Sequence, residues 1–188
     1  MPTSHRLTGH ERLYGSSAIQ GDAMILDFWR WAFSDLRMHS VQSVFAEWMV
    51  ARLLGIRLRV RDAWSEYDLV ASNGVRLEVK AAAYVQAREQ DGPLSRIVFR
   101  YAPSAARSTD LYVFCVQIEK DPERWDALDL AQWRFYTVTG AEVRQLGQTT
   151  IALNVLRELC VGMRAKTFQV KAARLIRALG KSYNASVG

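Results

Sequence analysis

The sequence predicts one α/β (α+β) domain in which helices flank a mixed β-sheet. Three observations carry this reading. Segments with helical spacing stand at both ends, short alternating or apolar runs fill the middle, and 188 residues suit one substantial core rather than two. Apolar residues make up 49% of the chain, enough to drive folding rather than disorder. The domain is expected to span 1–188, with its core at about 23–140 and a basic helical segment at about 141–188.

The first 21 residues carry scattered glycines without periodicity and read as an irregular arm. A dense apolar helix is predicted over 23–37, with Leu26, Trp29, Phe33 and Leu36 at helical spacing. Its large rings Phe28, Trp29 and Trp31 are expected in the core. Ser40 suits the N-cap of a second helix over 41–54, and Gly55 suits the residue that ends it. Residues 56–61 alternate apolar side chains with arginine and read as a strand with one wet face. Two strands, 67–71 and 75–79, surround the turn signal Ser72-Asn73-Gly74. Further strands are predicted at 97–101, at 111–118 (apolar enough to be central) and at 134–139. The loop at 102–110 is polar, 121–132 is irregular or a short helix, and helix returns from 141 to about 178. This order implies a run of antiparallel strands between helices.

No apolar run approaches the 18 or so residues of a membrane span, and the N-terminus shows no secretory signal. No membrane partner is expected, and the default address is cytoplasmic. Cys115 and Cys160 lie in apolar surroundings and read as reduced, buried thiols. Charge is distributed unevenly. Residues 157–188 hold seven cations (among them Lys166, Lys171, Arg174, Arg177 and Lys181) against Glu158, so the net charge of +6 resides there. A basic segment on a neutral body fits a polyanion such as nucleic acid, or else a solvated helical face.

Lys80 is the only lysine before Lys120; arginine supplies every other fixed cation in that span. It follows Glu78 by two residues, so on a strand the two share a face, while Leu77, Val79 and Ala81 face the core. Asp68 lies ten residues before Glu78 on the other arm of the hairpin. A two-residue Asn73-Gly74 turn would set Asp68 opposite Val79, on the wrong face. A three-residue Ser72-Asn73-Gly74 loop, with Gly74 left-handed, pairs Asp68 with Glu78 directly. Two carboxylates about 5 Å apart at the backbone repel unless a cation lies between them. With no histidine near in sequence (His5, His10 and His39 are all distant), a hard ion such as Mg²⁺ or Mn²⁺ suits them better than Zn²⁺. Lysine, compact and able to titrate when buried, can orient or deprotonate a metal-bound water where arginine cannot. Glu47, the only acid of the predicted second helix, projects from an apolar side among Val44, Val50, Ala51 and Leu54. It needs a positive partner, either an arginine such as Arg52 or a metal ion.

Together Glu47, Asp68 and Glu78-Val79-Lys80 resemble the motif of the PD-(D/E)XK nuclease superfamily, with its restriction-endonuclease-like fold. The likeness extends over about 26–118 and more weakly over the QWRFYTV segment; Tyr67 stands where the motif has proline. The resemblance implies the order helix, three-strand meander, helix and further strand. It also implies Mg²⁺-dependent hydrolysis of DNA phosphodiesters in restriction, defence or repair. Asp68, Glu78 and the Val79 carbonyl would bind the ion, and Glu47 would bind a second ion or hold the first one's water. Lys80 would position the attacking water. Gln86, six residues after Lys80, matches a glutamine that orders the site or touches phosphate. A homodimer is expected by analogy alone. Asp110 either borders the site or caps its loop, and the strands at 77–79 and 111–118 should be neighbours. The alternatives are a nucleic-acid-binding module that keeps the fold without cleaving, and a structural domain in which Glu78 and Lys80 form a plain salt bridge.

Overall fold

The computed structural model describes residues 7–15, 22–87, 96–101 and 109–185, with side chains described through 180. His5, Arg107, Ser108 and the Lys181 side chain, all within segments considered above, lie outside the described residues. The chain divides into two units, Met1–Leu36 and Arg37–Gly188.

In the first unit, α1 (Ile25–Phe33) follows a bridge between Arg12 and Met24. The expectation that its rings form core is corrected: no residue of α1 is buried, and Trp31 is 82% exposed. Phe28 instead packs edge-on against Phe33, centroids 6.0 Å apart. A unit of this size has too little surface to enclose three large rings by itself.

The second unit is built on a sheet ordered β1-β2-β4-β5: Leu69–Val70, Arg76–Ala83, Leu111–Gln117 and Trp133–Thr139. β4 is buried at every position, as a strand covered on both faces must be. Leu111, Val113 and Cys115 join one core cluster with residues of α2 (His39–Leu54) and α5 (Ala165–Ala185). Tyr112, Phe114 and Val116 join a second cluster on the other face. Both cysteines are free thiols; Cys115 is buried, which raises its thiol far above the ordinary range, whereas the expected burial of Cys160 is corrected to partial burial, which pushes it up to about 11.

The predicted neighbours 77–79 and 111–118 do pair, Leu77 opposite Leu111, but in parallel. The expected antiparallel meander is therefore corrected. β3 (Val98–Arg100) leaves the main sheet and pairs antiparallel with β6 (Thr150–Ala152), a strand not anticipated in a stretch read as continuous helix. The reason lies in packing: Ile97, Phe99 and Tyr101 are buried in the second cluster, with Phe99 edge-on to Phe114 at 5.0 Å. β3 thus covers a face of the sheet instead of extending its edge. α3 (Gly140–Leu146) and α4 (Leu153–Leu159) complete that side. Residues 56–61 form no strand. Ser40 lies inside α2, whose N-cap is Met38, while Gly55 ends that helix as expected, at φ +66° with its N–H on the Ala51 carbonyl. Asp110 is a cap: its carboxylate accepts the Arg76 N–H at 2.8 Å and its own N–H donates to the Arg76 carbonyl.

Among the described residues no helix is long and apolar enough to cross a membrane.

Candidate active site

The hairpin adopts the three-residue loop. Leu69 pairs with Leu77 and Val70 with Arg76, and there the regular ladder ends: the Asp68 N–H donates to the Leu77 carbonyl at 3.1 Å, so Asp68 lies beside Glu78 rather than paired directly with it as expected. Gly74 supplies the turn at φ +84°, a conformation costly for any side chain with a Cβ. Its N–H donates to the Ala71 carbonyl (3.0 Å), and Ala71 donates in turn to Val75 (2.9 Å).

β1 begins at Leu69, one residue after Asp68. The Asp68 carboxylate takes over where the ladder stops, accepting the Val79 N–H at 2.7 Å. Beyond that point no strand among the described residues pairs with this edge of β2. Because backbone groups alternate along a strand, the carbonyl of Val79 and the peptide groups of Ala81 and Ala83 face the open edge. The side chains of Ala81, Ala82 and Ala83 are small, and a cleft of about 480 Å³ lies against them.

Three further walls close this cleft. α2 contributes His39, Ser43 and Glu47, spaced four residues apart on one helical face. The chain before β1 contributes Arg61 and Asp68, and β3 with the two residues before it contributes Arg96 to Arg100. Gln86 lies at the mouth, exposed.

Most of the charge in and beside the cleft is paired. Glu47, 7% exposed, receives Arg61 in a fork: Nε to Oε2 at 2.6 Å and Nη2 to Oε1 at 2.7 Å. This satisfies its need for a cation with an arginine other than Arg52, and drives the guanidinium pKa up from an already high value. Glu78, 6% exposed, accepts the Lys80 ammonium at 2.7 Å. Asp68 is different. Burial first, and then the neighbouring Glu78 charge, push its carboxyl up to about 6, with Glu47 adding to the rise. The Val79 N–H and, more weakly, Lys80 pull the other way. Asp68 is a carboxylate short of positive charge.

That deficit suits a hard cation. Mg²⁺ is commonly held by one or two carboxylates and keeps several waters, and Asp68, Glu78 and the Val79 carbonyl offer that donor set. Among the described residues no three His, Cys, Asp or Glu side chains are grouped to hold a metal ion, so the backbone carbonyl is an essential part of this fit.

The structure thus gathers Glu47, Asp68, Val79, Lys80 and Gln86 at one cleft, with Glu78 paired to Lys80 beside it. The basic residues of α5 lie elsewhere in the fold: Lys166, Lys171, Arg174 and Arg177 are exposed on a helix without a single acid, while Phe168, Ala172 and Ile176 bury its opposite face. The reading of His39 as distant from the cluster is corrected: α2 brings it to the cleft four residues from Ser43 and eight from Glu47, and sequence reasoning missed Ser43, Arg61, Arg96 and Arg100. The four-residue spacing of His39, Ser43 and Glu47 was a usable signal, as was the alternation of Arg96, Val98 and Arg100. Arg61 sits in irregular chain and gives none. No protein-family model matches the chain, and no curated protein matches it in sequence.

Proposed function

We propose that this chain is a Mg²⁺-dependent endonuclease that hydrolyses DNA phosphodiesters, in restriction, defence or repair, as its resemblance to the PD-(D/E)XK superfamily implies. The observation that carries the reading is the hairpin register. It ends the ladder at Leu69, so that the Asp68 carboxylate takes the Val79 N–H near Glu78 and Lys80, where a strand edge opens into a cleft. A half-buried carboxylate close to a buried one makes a poor structural pair and a good cation site.

Asp68, Glu78 and the Val79 carbonyl would hold the ion, with Mn²⁺ an acceptable substitute. Bound there, it would polarise a phosphoryl oxygen and lower the pKa of its water. The protein supplies the rest. Lys80, whose ammonium donates to Glu78 at 2.7 Å, would use its remaining N–H donors on the attacking water and on the charge gathering on phosphorus. The water oxygen bonds to phosphorus as one of its protons passes to solvent, the bond to one ester oxygen breaks, and the leaving oxygen takes a proton from solvent. Glu47 anchors Arg61 at the cleft and becomes free for a cation only when that guanidinium turns to a phosphate. Gln86 borders the phosphate path, and the exposed cations of α5 add affinity for nucleic acid from outside the cleft.

One observation favours a second reading, a nucleic-acid-binding module that does not cleave: both oxygens of Glu47 are already engaged by Arg61. Cutting by the unaltered chain in Mg²⁺ separates the two, and Lys80→Ala then tests the role of the lysine. In the endonuclease reading this variant folds and still binds DNA but loses cutting in Mg²⁺. Undiminished cutting would remove Lys80 from the mechanism.

A further inference from the structure

We propose that Arg96 and Arg100 form a phosphate-binding rail beside Asp68 and Lys80 that takes one strand of nucleic acid into the cleft; that the strand is cut there rests on the nuclease reading above. Alternate residues of a strand share a face. Ile97, Phe99 and Tyr101 are buried at 7%, 3% and 5% exposure, so the exposed Arg96, Val98 and Arg100 take the other face, and the whole run from Arg96 to Arg100 borders the cleft. At about 3.3 Å per residue, the two arginines stand about 13 Å apart. At that spacing the two guanidinium groups can each meet a phosphate of the same bound strand. Val98, 47% exposed, stands between the two arginines in the chain and offers an apolar surface.

The charge balance argues for an anion at this wall. Glu47 is matched by Arg61 and Glu78 by Lys80, which leaves the single carboxylate of Asp68 against two arginines. Neither Arg96 nor Arg100 pairs with a carboxylate among the described residues; Arg96 Nη2 donates only to the neutral Asn154 Oδ1, at 3.0 Å. Two planar guanidinium forks are thus left for a ligand, and phosphate oxygens suit their geometry. A cleft of about 480 Å³ is the size of a small-molecule site. That volume matches a nucleotide unit or two of one strand.

The test is fluorescence anisotropy with a short labelled DNA single strand and its duplex. It uses the full chain in EDTA, so that binding is read without cutting. Arg96→Gln/Arg100→Gln should weaken single-strand binding roughly tenfold or more. It should also flatten the slope of log K against log salt by about 0.7 for each arginine removed. Arg100→Gln alone, which breaks no bond to Asn154, should show half of that slope change and guards against a variant that fails to fold. Unchanged affinity and slope in a folded Arg100→Gln protein would overturn the rail. Tighter binding of duplex than of single strand would overturn the one-strand assignment. Binding lost in the variants, with no Mg²⁺-dependent cutting by the unaltered chain, upholds the rail and removes the nuclease reading. Intact cutting with unchanged binding does the reverse.

Discussion

Asp68→Asn should stabilise the folded protein near neutral pH while destroying the site's ability to hold a cation. In the fold Asp68 titrates at about 6, against 3.8 for the unperturbed group. Well below pH 3.8 both folded and unfolded chains carry the proton. Between 3.8 and about 6 the unfolded chain releases it first, so stability falls across that window and the penalty is complete above about 6. At about 1.4 kcal/mol per pKa unit the full rise corresponds to about 3 kcal/mol. Partial exposure lowers the realised value to about 1–3 kcal/mol, which for a chain of this size raises Tm by roughly 2–10 °C. The side-chain amide oxygen introduced by the substitution can still accept the Val79 N–H, so charge is removed without breaking that contact. Thermal melts of both proteins from about pH 4 to 8 in EDTA, spanning the titration window, are the assay. The variant should melt higher at about pH 7.5, and the gap should close toward about pH 4. A variant less stable than wild type near neutral pH would refute the reasoning, because it would show Asp68 to be a net structural partner of Lys80.

Three other outcomes are expected. Saturating Mg²⁺ should raise the wild-type Tm near neutral pH but leave Asp68→Asn unmoved, a difference that differential scanning fluorimetry reads directly. Changing Lys166, Lys171, Arg174 and Arg177 to Gln should preserve the fold, since all four are exposed, but weaken DNA binding and flatten its salt slope by up to about 0.9 per cation; an equal slope would return α5 to a solvated face. Truncation is the wrong tool here, because Phe168 stacks on Phe135 at 4.6 Å in the core, and Phe168→Ala alone should cost about 3–5 kcal/mol in a denaturant titration.

The site was legible where its determinants are local. Glu78 and Lys80 sit two apart on a strand, and a glycine at position 74 permits a three-residue loop, but a two-residue Asn73-Gly74 turn was equally open, and only the Leu69–Leu77 pairing decides between them. Glu47 was legible as a lone acid on an apolar helix side, though its partner was not. Arg61 reaches it across 14 residues of chain from a stretch whose alternation imitates a strand. What the pattern did not reveal was long-range. Residues 97–101 alternate equally well for an edge strand and for a strand laid over the sheet face. Only the burial of Phe99 against Phe114 decides between them. That choice leaves the β2 edge open and brings Arg96 and Arg100 to the cleft. β6 went unseen because Thr150–Ala152 is three residues long and acquires its strand character from β3.

The most direct test of the central claim is cleavage by the purified chain in Mg²⁺, then in Mn²⁺, over single-stranded, duplex and branched DNA and RNA. The predicted result is metal-dependent cutting of DNA that EDTA stops and that Asp68→Asn, Glu78→Gln and Lys80→Ala each abolish. Folded protein that binds DNA but cuts no substrate in either metal would contradict the claim and leave the non-cleaving module as the function of this fold.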